Sequence, residues 1–180
     1  MAMASGQNDR DELLHLLDAE RQALLAAIGH VPPAQRDKRP SAEAWSVAEV
    51  VEHLARVERG IAKLIGLRGR EQPTAGQAAA VPLDAARIAR VRSRRERIEA
   101  PERIRPSGTV TPDDALRALE QARVTLREAV IAADSASLDG CTHAHAVLGV
   151  LTLRDWVRFV AHHEARHASQ VADIAVALTA

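Results

Sequence analysis

Apolar residues recur every three or four positions in four separate stretches of this chain, and no segment alternates convincingly at every second position. Such spacing belongs to helices that each bury one face, whereas half-buried strands alternate with a period of two. The first stretch carries Leu13, Leu17, Leu24 and Ile28, and the second Val47, Val50, Leu54, Val57, Ile61 and Leu64. The third carries Leu116, Leu119, Val124, Leu126 and Val130, and the fourth Leu153, Trp156, Val160, Val171, Ile174 and Leu178. Start signals agree with this reading. Ser46-Val47-Ala48-Glu49 is a capping box: the serine hydroxyl accepts from a free backbone N–H and the glutamate reaches back, with Trp45 and Val50 placed as a hydrophobic staple. Thr152 and Asp155 repeat the scheme between Leu151 and Trp156, and Thr111 followed by Pro112 marks a third start. The first helix is expected to begin near Asn8 or Asp9 and to end at Gly29, before Pro32 and Pro33. The expectation is an all-α four-helix bundle, a single domain over 1–180.

Between the second and third helices lies the stretch 67–110, far too long for a tight turn. It lets the chain cross the bundle, so that helices two and three run parallel. Part of it, 84–99, has helical character. The segment 87–105 holds eight arginines against three glutamates, which reads as a solvated face with Glu–Arg pairs rather than a nucleic-acid arm. Composition points the same way. Lys plus Arg (24) balance Asp plus Glu (24), so no global field favours nucleic acid or an anionic membrane. Two Trp, one Phe and no Tyr leave little for base stacking. No run approaches the roughly 20 apolar residues of a membrane span. A lone cysteine, Cys141, and an N-terminus without a basic region or apolar stretch suit a cytoplasmic protein. No spacing pairs Cys141 with a histidine, so it is read as a small buried or loop residue.

The fourth stripe has a gap between Val160 and Val171, and the inward positions that fill it are His163 and His167. Four-residue spacing places the two imidazoles on one helix face, about 5–6 Å apart at Cβ. Polar rings in an apolar stripe need partners, since an unsatisfied buried group costs on the order of 1–3 kcal/mol. One metal ion satisfies both rings; the plainer reading is two core histidines bonded to carbonyls or carboxylates. With Glu164 between them the residues spell the His-Glu-x-x-His of zinc peptidases. Those enzymes take a further ligand from downstream. Only thirteen residues follow His167, without a His or Glu among them. Asp173 lies at the right distance, but that arrangement needs a glycine where Gln170 stands, and an unbroken helix turns Asp173 away. A peptidase is therefore excluded.

The remaining ligand must come from another helix. His53, beside the stripe of the second helix between Val50 and Val57, is the best candidate. His15 and His30 lie at far positions on the first helix, and His143 and His145 fall in the loop before the fourth. His162 is one residue off the stripe and should face outward or towards a neighbour. Glu164, about 100° around the helix from His163, is read as orienting a ligand, pairing with Arg166 or meeting a partner chain rather than as a base. Gln170 is either a group supporting a ligand histidine or a surface amide.

The segments 39–54 (RPSAEAWSVAEVVEHL), 100–108 (APERIRPSG) and 145–171 (HAVLGVLTLRDWVRFVAHHEARHASQV) together resemble the DinB/YfiT-like superfamily of metal-binding four-helix bundles. The resemblance implies an up-down-down-up bundle, His53, His163 and His167 as metal ligands, and a homodimer. It also implies a metal-dependent hydrolase or low-molecular-weight-thiol S-transferase acting on a small molecule; the alternative is a non-catalytic metal-binding or stress-related dimeric bundle. Three neutral histidines leave a coordination position open, the arrangement of catalytic zinc; nickel and ferrous iron accept the same ligands. A homodimer would also suit the alanines Ala161, Ala165, Ala168, Ala172 and Ala175, which lie off the main stripe of the fourth helix.

Overall fold

Each of the four stripes becomes a long helix in the computed structural model, which describes residues 2–179 except 75 and 97, with side chains from residue 8 onward. The long helices are α1 (Ala2–Gly29), α2 (Val47–Arg68), α4 (Pro112–Ala132) and α6 (Leu153–Ala177); the short α3 (Ala85–Arg92) and α5 (Ser135–Gly140) lie in the connections. The Ser46 box forms in full: Glu49 N donates to Ser46 Oγ at 3.2 Å and Ser46 N to Glu49 Oε2 at 2.8 Å. At α6 only half of it forms. Thr152 Oγ1 accepts from Asp155 N at 3.0 Å, but the Asp155 carboxylate accepts from Leu83 N at 3.1 Å and Arg158 at 2.8 Å, tying down the long connection instead. The expected start of α1 at Asn8 or Asp9 is too late. Asn8 donates along the helix to Glu12 rather than capping it, and the helix runs from Ala2.

α1 packs along α6, and α2 along α4. Contacts between side chains and backbone give their directions. Arg154 reaches Asp9 O and Arg21 reaches Glu164, so α1 and α6 rise together. Asp134 N donates to Gly69 O, and Arg123 meets Glu58, so α2 and α4 also run parallel. Arg10 reaches Ala133 O and Arg127 reaches Asp18, which sets α1 against α4. The result is the up-down-down-up bundle, with its long crossover between α2 and α4.

Three details differ from expectation. A two-stranded antiparallel hairpin, β1 (Thr142–His145) and β2 (Gly149–Thr152), precedes α6. Its strands are too short for a period of two to stand out, and Gly149 takes the positive φ of 73° that its turn requires. The helix expected within 84–99 stops at Arg92. Val124 is 45% exposed, and the buried face of α4 instead includes Ala122 and Arg123. Among the described residues, no helix is long and apolar enough to cross a membrane.

The apolar core falls into two clusters. One gathers Leu13, Leu17, Ile61, Ile65, Leu126, Val157 and Phe159; the other gathers Leu24, Ile28, Val50, Leu54, Leu119, Val171 and Ile174. The middle of the bundle between them is polar. There α1, α2, α4 and α6 contribute Arg21, Glu58, Arg123 and Glu164, all buried. Arg21 meets Glu58 and Glu164 at 2.6 Å each, and Arg123 meets Glu164 at 2.8 Å and also Glu58, closing a neutral four-membered ring.

Candidate metal centre

His53 comes from α2, one turn beyond its capping box, and His163 and His167 come from α6. Their Nε2 atoms converge: His163 lies 3.1 Å from His167 and 3.5 Å from His53. Two nitrogens bound to one tetrahedral zinc at about 2.0–2.1 Å would stand roughly 3.3–3.4 Å apart. Among the described residues no Cys, Asp, Glu or fourth His joins this cluster.

The outer nitrogens define the tautomers. His53 Nδ1 donates to the Ile104 carbonyl at 2.8 Å, and His167 Nδ1 donates to Gln170 Oε1 at 2.8 Å. Each of these neutral rings therefore aims an Nε2 lone pair into the cluster, with a partner on the far nitrogen that orients it as in metal sites. One proton on His163 Nε2 can serve one of these lone pairs; a cation serves all three at once, so the donor set fits a divalent metal. Protonation would not relieve the crowding. Burial holds all three imidazoles below their ordinary values, with His163 well below and His167 at about 3; on His163 and His167 neighbouring rings and Arg166 act in the same direction. Neutral imidazoles are the form that binds metal.

All three aromatic residues of the chain gather around this cluster. The Trp45 ring lies 5.1 Å from His53, Phe159 stacks on His163 at 5.1 Å and 27°, and Trp156 packs edge-on against Phe159. The other histidines are not part of it: His143 and His145 lie on β1, their rings packed against Trp156 at 5.9 and 4.9 Å, and His145 also meets Phe159 at 4.6 Å. His15 and His30 are exposed, and Asp173 pairs with Arg94 at the surface. His162, expected to face outward or towards a neighbour, does the latter: it is buried beneath the crossover, its Nδ1 accepting from Arg92 at 3.0 Å. Cys141 is buried beside Glu71 O, 3.5 Å away. Gln170 supports His167, one of the two roles the sequence leaves to it. Glu164 does not pair with Arg166, whose guanidinium donates to Glu96 O; it closes the ring with Arg21 and Arg123.

Sequence reasoning passed over that ring, although the gap-filling that found the histidines reaches it. Arg21 fills the stripe between Leu17 and Leu24, Glu58 lies between Leu54 and Ile61, and Arg123 between Leu119 and Leu126. The Ile104 carbonyl had no such signal.

Comparison with known proteins agrees with the four-helix fold. The sequence model of the DinB superfamily matches residues 16–171. The uncharacterized protein YuaE of Bacillus subtilis (strain 168) is 29% identical over 139 residues, covering 77% of this chain and 82% of YuaE. The crystal structure of TT2238, a four-helix bundle protein, superposes with a TM-score of 0.59 at 26% identity, covering 91% of this chain and 98% of that one.

Proposed function

We propose that this chain, which belongs to the DinB superfamily, binds one divalent metal ion through His53, His163 and His167 and uses its open coordination position for catalysis. The observation that carries the reading is the convergence of three Nε2 atoms, two of them with their tautomers fixed from behind, and no fourth protein ligand among the described residues. A divalent cation there would acidify a bound water or hold a substrate thiol as thiolate. The chain's own part is to orient the rings through Ile104 O and Gln170, to wall the site with Trp45 and Phe159, and to keep the imidazoles neutral. The reaction class that fits is hydrolysis or thiol S-transfer on a small molecule. Zinc and nickel suit three imidazoles best, and iron is accepted. We also propose that two copies pair, since two-fold dimers are the commonest oligomers of soluble proteins and α6 keeps an exposed apolar end.

Elemental analysis and calorimetric titration with Zn2+ test the site. Wild type should hold about one equivalent, and His53→Ala, His163→Ala and His167→Ala should each lose most of it while remaining helical. A His53→Ala variant that binds metal as tightly as wild type sinks the assignment.

A further inference from the structure

A layer of four buried charges crosses the bundle beside the histidines. Each of its two guanidinium groups uses all three nitrogens. Arg21, from α1, donates through Nε to Glu164 and through Nη2 to Glu58, both at 2.6 Å, and its Nη1 reaches Leu119 O on α4. Arg123, from α4, mirrors it: Nε donates to Glu58, Nη2 to Glu164 at 2.8 Å, and Nη1 to Leu17 O on α1. The two carboxylates bridged in this way belong to α2 and α6, the helices that carry the three clustered histidines. Glu164 follows His163 directly, and little more than one helical turn separates Glu58 from His53.

Among the described residues, no hydrogen bond or ion pair joins α2 to α6 directly except the contact of His53 with His163. The crossover touches both helices at separate residues, Ile104 against His53 and Glu96 against Arg166. Arg21 and Arg123 differ in that each holds both helices with one rigid group. A guanidinium is a planar fork with fixed angles between its donors, so it sets the separation of two carboxylates that share it. Two such spacers, one entering from α1 and one from α4, oppose both sliding and rotation of α6 against α2. Stability alone does not account for the ring. Burying charges costs desolvation that apolar side chains of similar volume avoid, and replacing such a network whole is often neutral or stabilising. An apolar layer, however, loses uniqueness before it loses stability, whereas a ligand set has to hold its geometry within about 0.5 Å.

We infer, on the reading that a metal ion sits between the three Nε2 atoms, that Arg21, Glu58, Arg123 and Glu164 are positioning residues for that centre: the ring fixes the register of α2 against α6 and so brings His53 to the His163–His167 pair. The simpler role for the ring is to hold the bundle together and nothing more. Two sets of substitutions separate these roles. Arg21→Lys with Arg123→Lys keeps both charges and leaves Glu164 in place but removes the forks. Arg21→Met, Glu58→Leu, Arg123→Met and Glu164→Leu together remove the charges and fill the layer with apolar side chains. Leu138→Ala serves as the reference for stability: it opens a cavity at a fully buried position in α5, outside the four long helices, and leaves the ring intact.

The test uses the full chain with Co2+ as the probe. Competition with a chelator gives affinity, the d–d absorption bands report ligand geometry, and urea unfolding gives stability. Wild type should take up about one equivalent. The Lys pair should bind Co2+ about tenfold more weakly, with its absorption bands shifted or broadened. Leu138→Ala should also unfold at lower urea but keep its affinity within about twofold of wild type, because its cavity lies apart from the site. The fourfold apolar variant should unfold at the wild-type urea midpoint or above it, still bind about one equivalent, and lose about tenfold in affinity. Wild-type affinity and absorption in either ring variant, or a Leu138→Ala variant that loses as much affinity as the Lys pair, overturns the positioning role. Should the fourfold variant fail to fold, the Lys pair set against Leu138→Ala decides. A wild type that takes up no cobalt overturns the metal reading, and the positioning role with it.

Discussion

His163 and Glu164 are consecutive, and a helix turns about 100° between them. The imidazole therefore meets His53 and His167, while the carboxylate meets Arg21 and Arg123 in the ring across the bundle. In a peptidase the same glutamate would face a metal-bound water; here both of its oxygens accept from guanidinium groups in a buried layer. Burial pushes its carboxyl upward, and the Arg21 and Arg123 charges pull against that shift. Removing one member of such a network leaves the others charged, buried and unmatched, at a cost of about 3–5 kcal/mol. Glu164→Gln should thus lower stability in urea by about that amount and leave metal content at the wild-type level. Loss of metal with stability unchanged would place Glu164 at the site instead.

At the scale of elements, the crossover between α2 and α4 does more than span distance. Its 3-10 turn Glu102–Ile104 presents the carbonyl that fixes His53. Three residues on, Ser107 is held through its N–H (2.9 Å) and hydroxyl (3.1 Å) by Glu52, the neighbour of His53 on α2. Glu52→Ala should loosen this clamp and weaken Zn2+ binding about tenfold, as the loss of groups that orient metal ligands commonly does. Hydrogen exchange at 102–107 should slow when Zn2+ binds wild type; exchange indifferent to metal would detach the crossover from the site. These contacts mark where the sequence stops being legible. The long helices, their caps and the inward position of His163 and His167 follow from a period of 3.6 and from side-chain chemistry at fixed offsets. The Ile104 carbonyl has no residue signature, because every residue carries one. The hairpin escaped because four-residue strands are too short to show their period. The ion ring was within reach, since Arg21, Glu58 and Arg123 fill apolar stripes as the histidines do, but a charged residue in such a gap is usually taken for a boundary of the buried face.

For the whole molecule, the question is which surface a second copy would use. Of the alanines on α6, Ala161 and Ala165 are buried within this chain, and Ala168 and Ala175 pack partly against its core. They are spent on internal packing and cannot form the close-approach face that the sequence suggested. Ala172 remains exposed, and one turn on Val176 is 70% exposed, more than any other large hydrophobic side chain among the described residues. A stable interface buries about 800 Å² per partner, more than these two side chains cover, and we propose that a dimer here extends onto α1, which packs along α6 and exposes Leu25. Light scattering at micromolar concentration should then give twice the 19.4 kDa of one chain. Leu25→Glu combined with Val176→Glu should return the mass to one chain, because like charges facing across a two-fold axis repel and lose their hydration. Zn2+ binding should survive in that variant, since His53, His163 and His167 all come from the same copy. A single-chain mass for wild type would rule out the dimer, and a dimer that persists in the double variant would move its interface off the α1–α6 face.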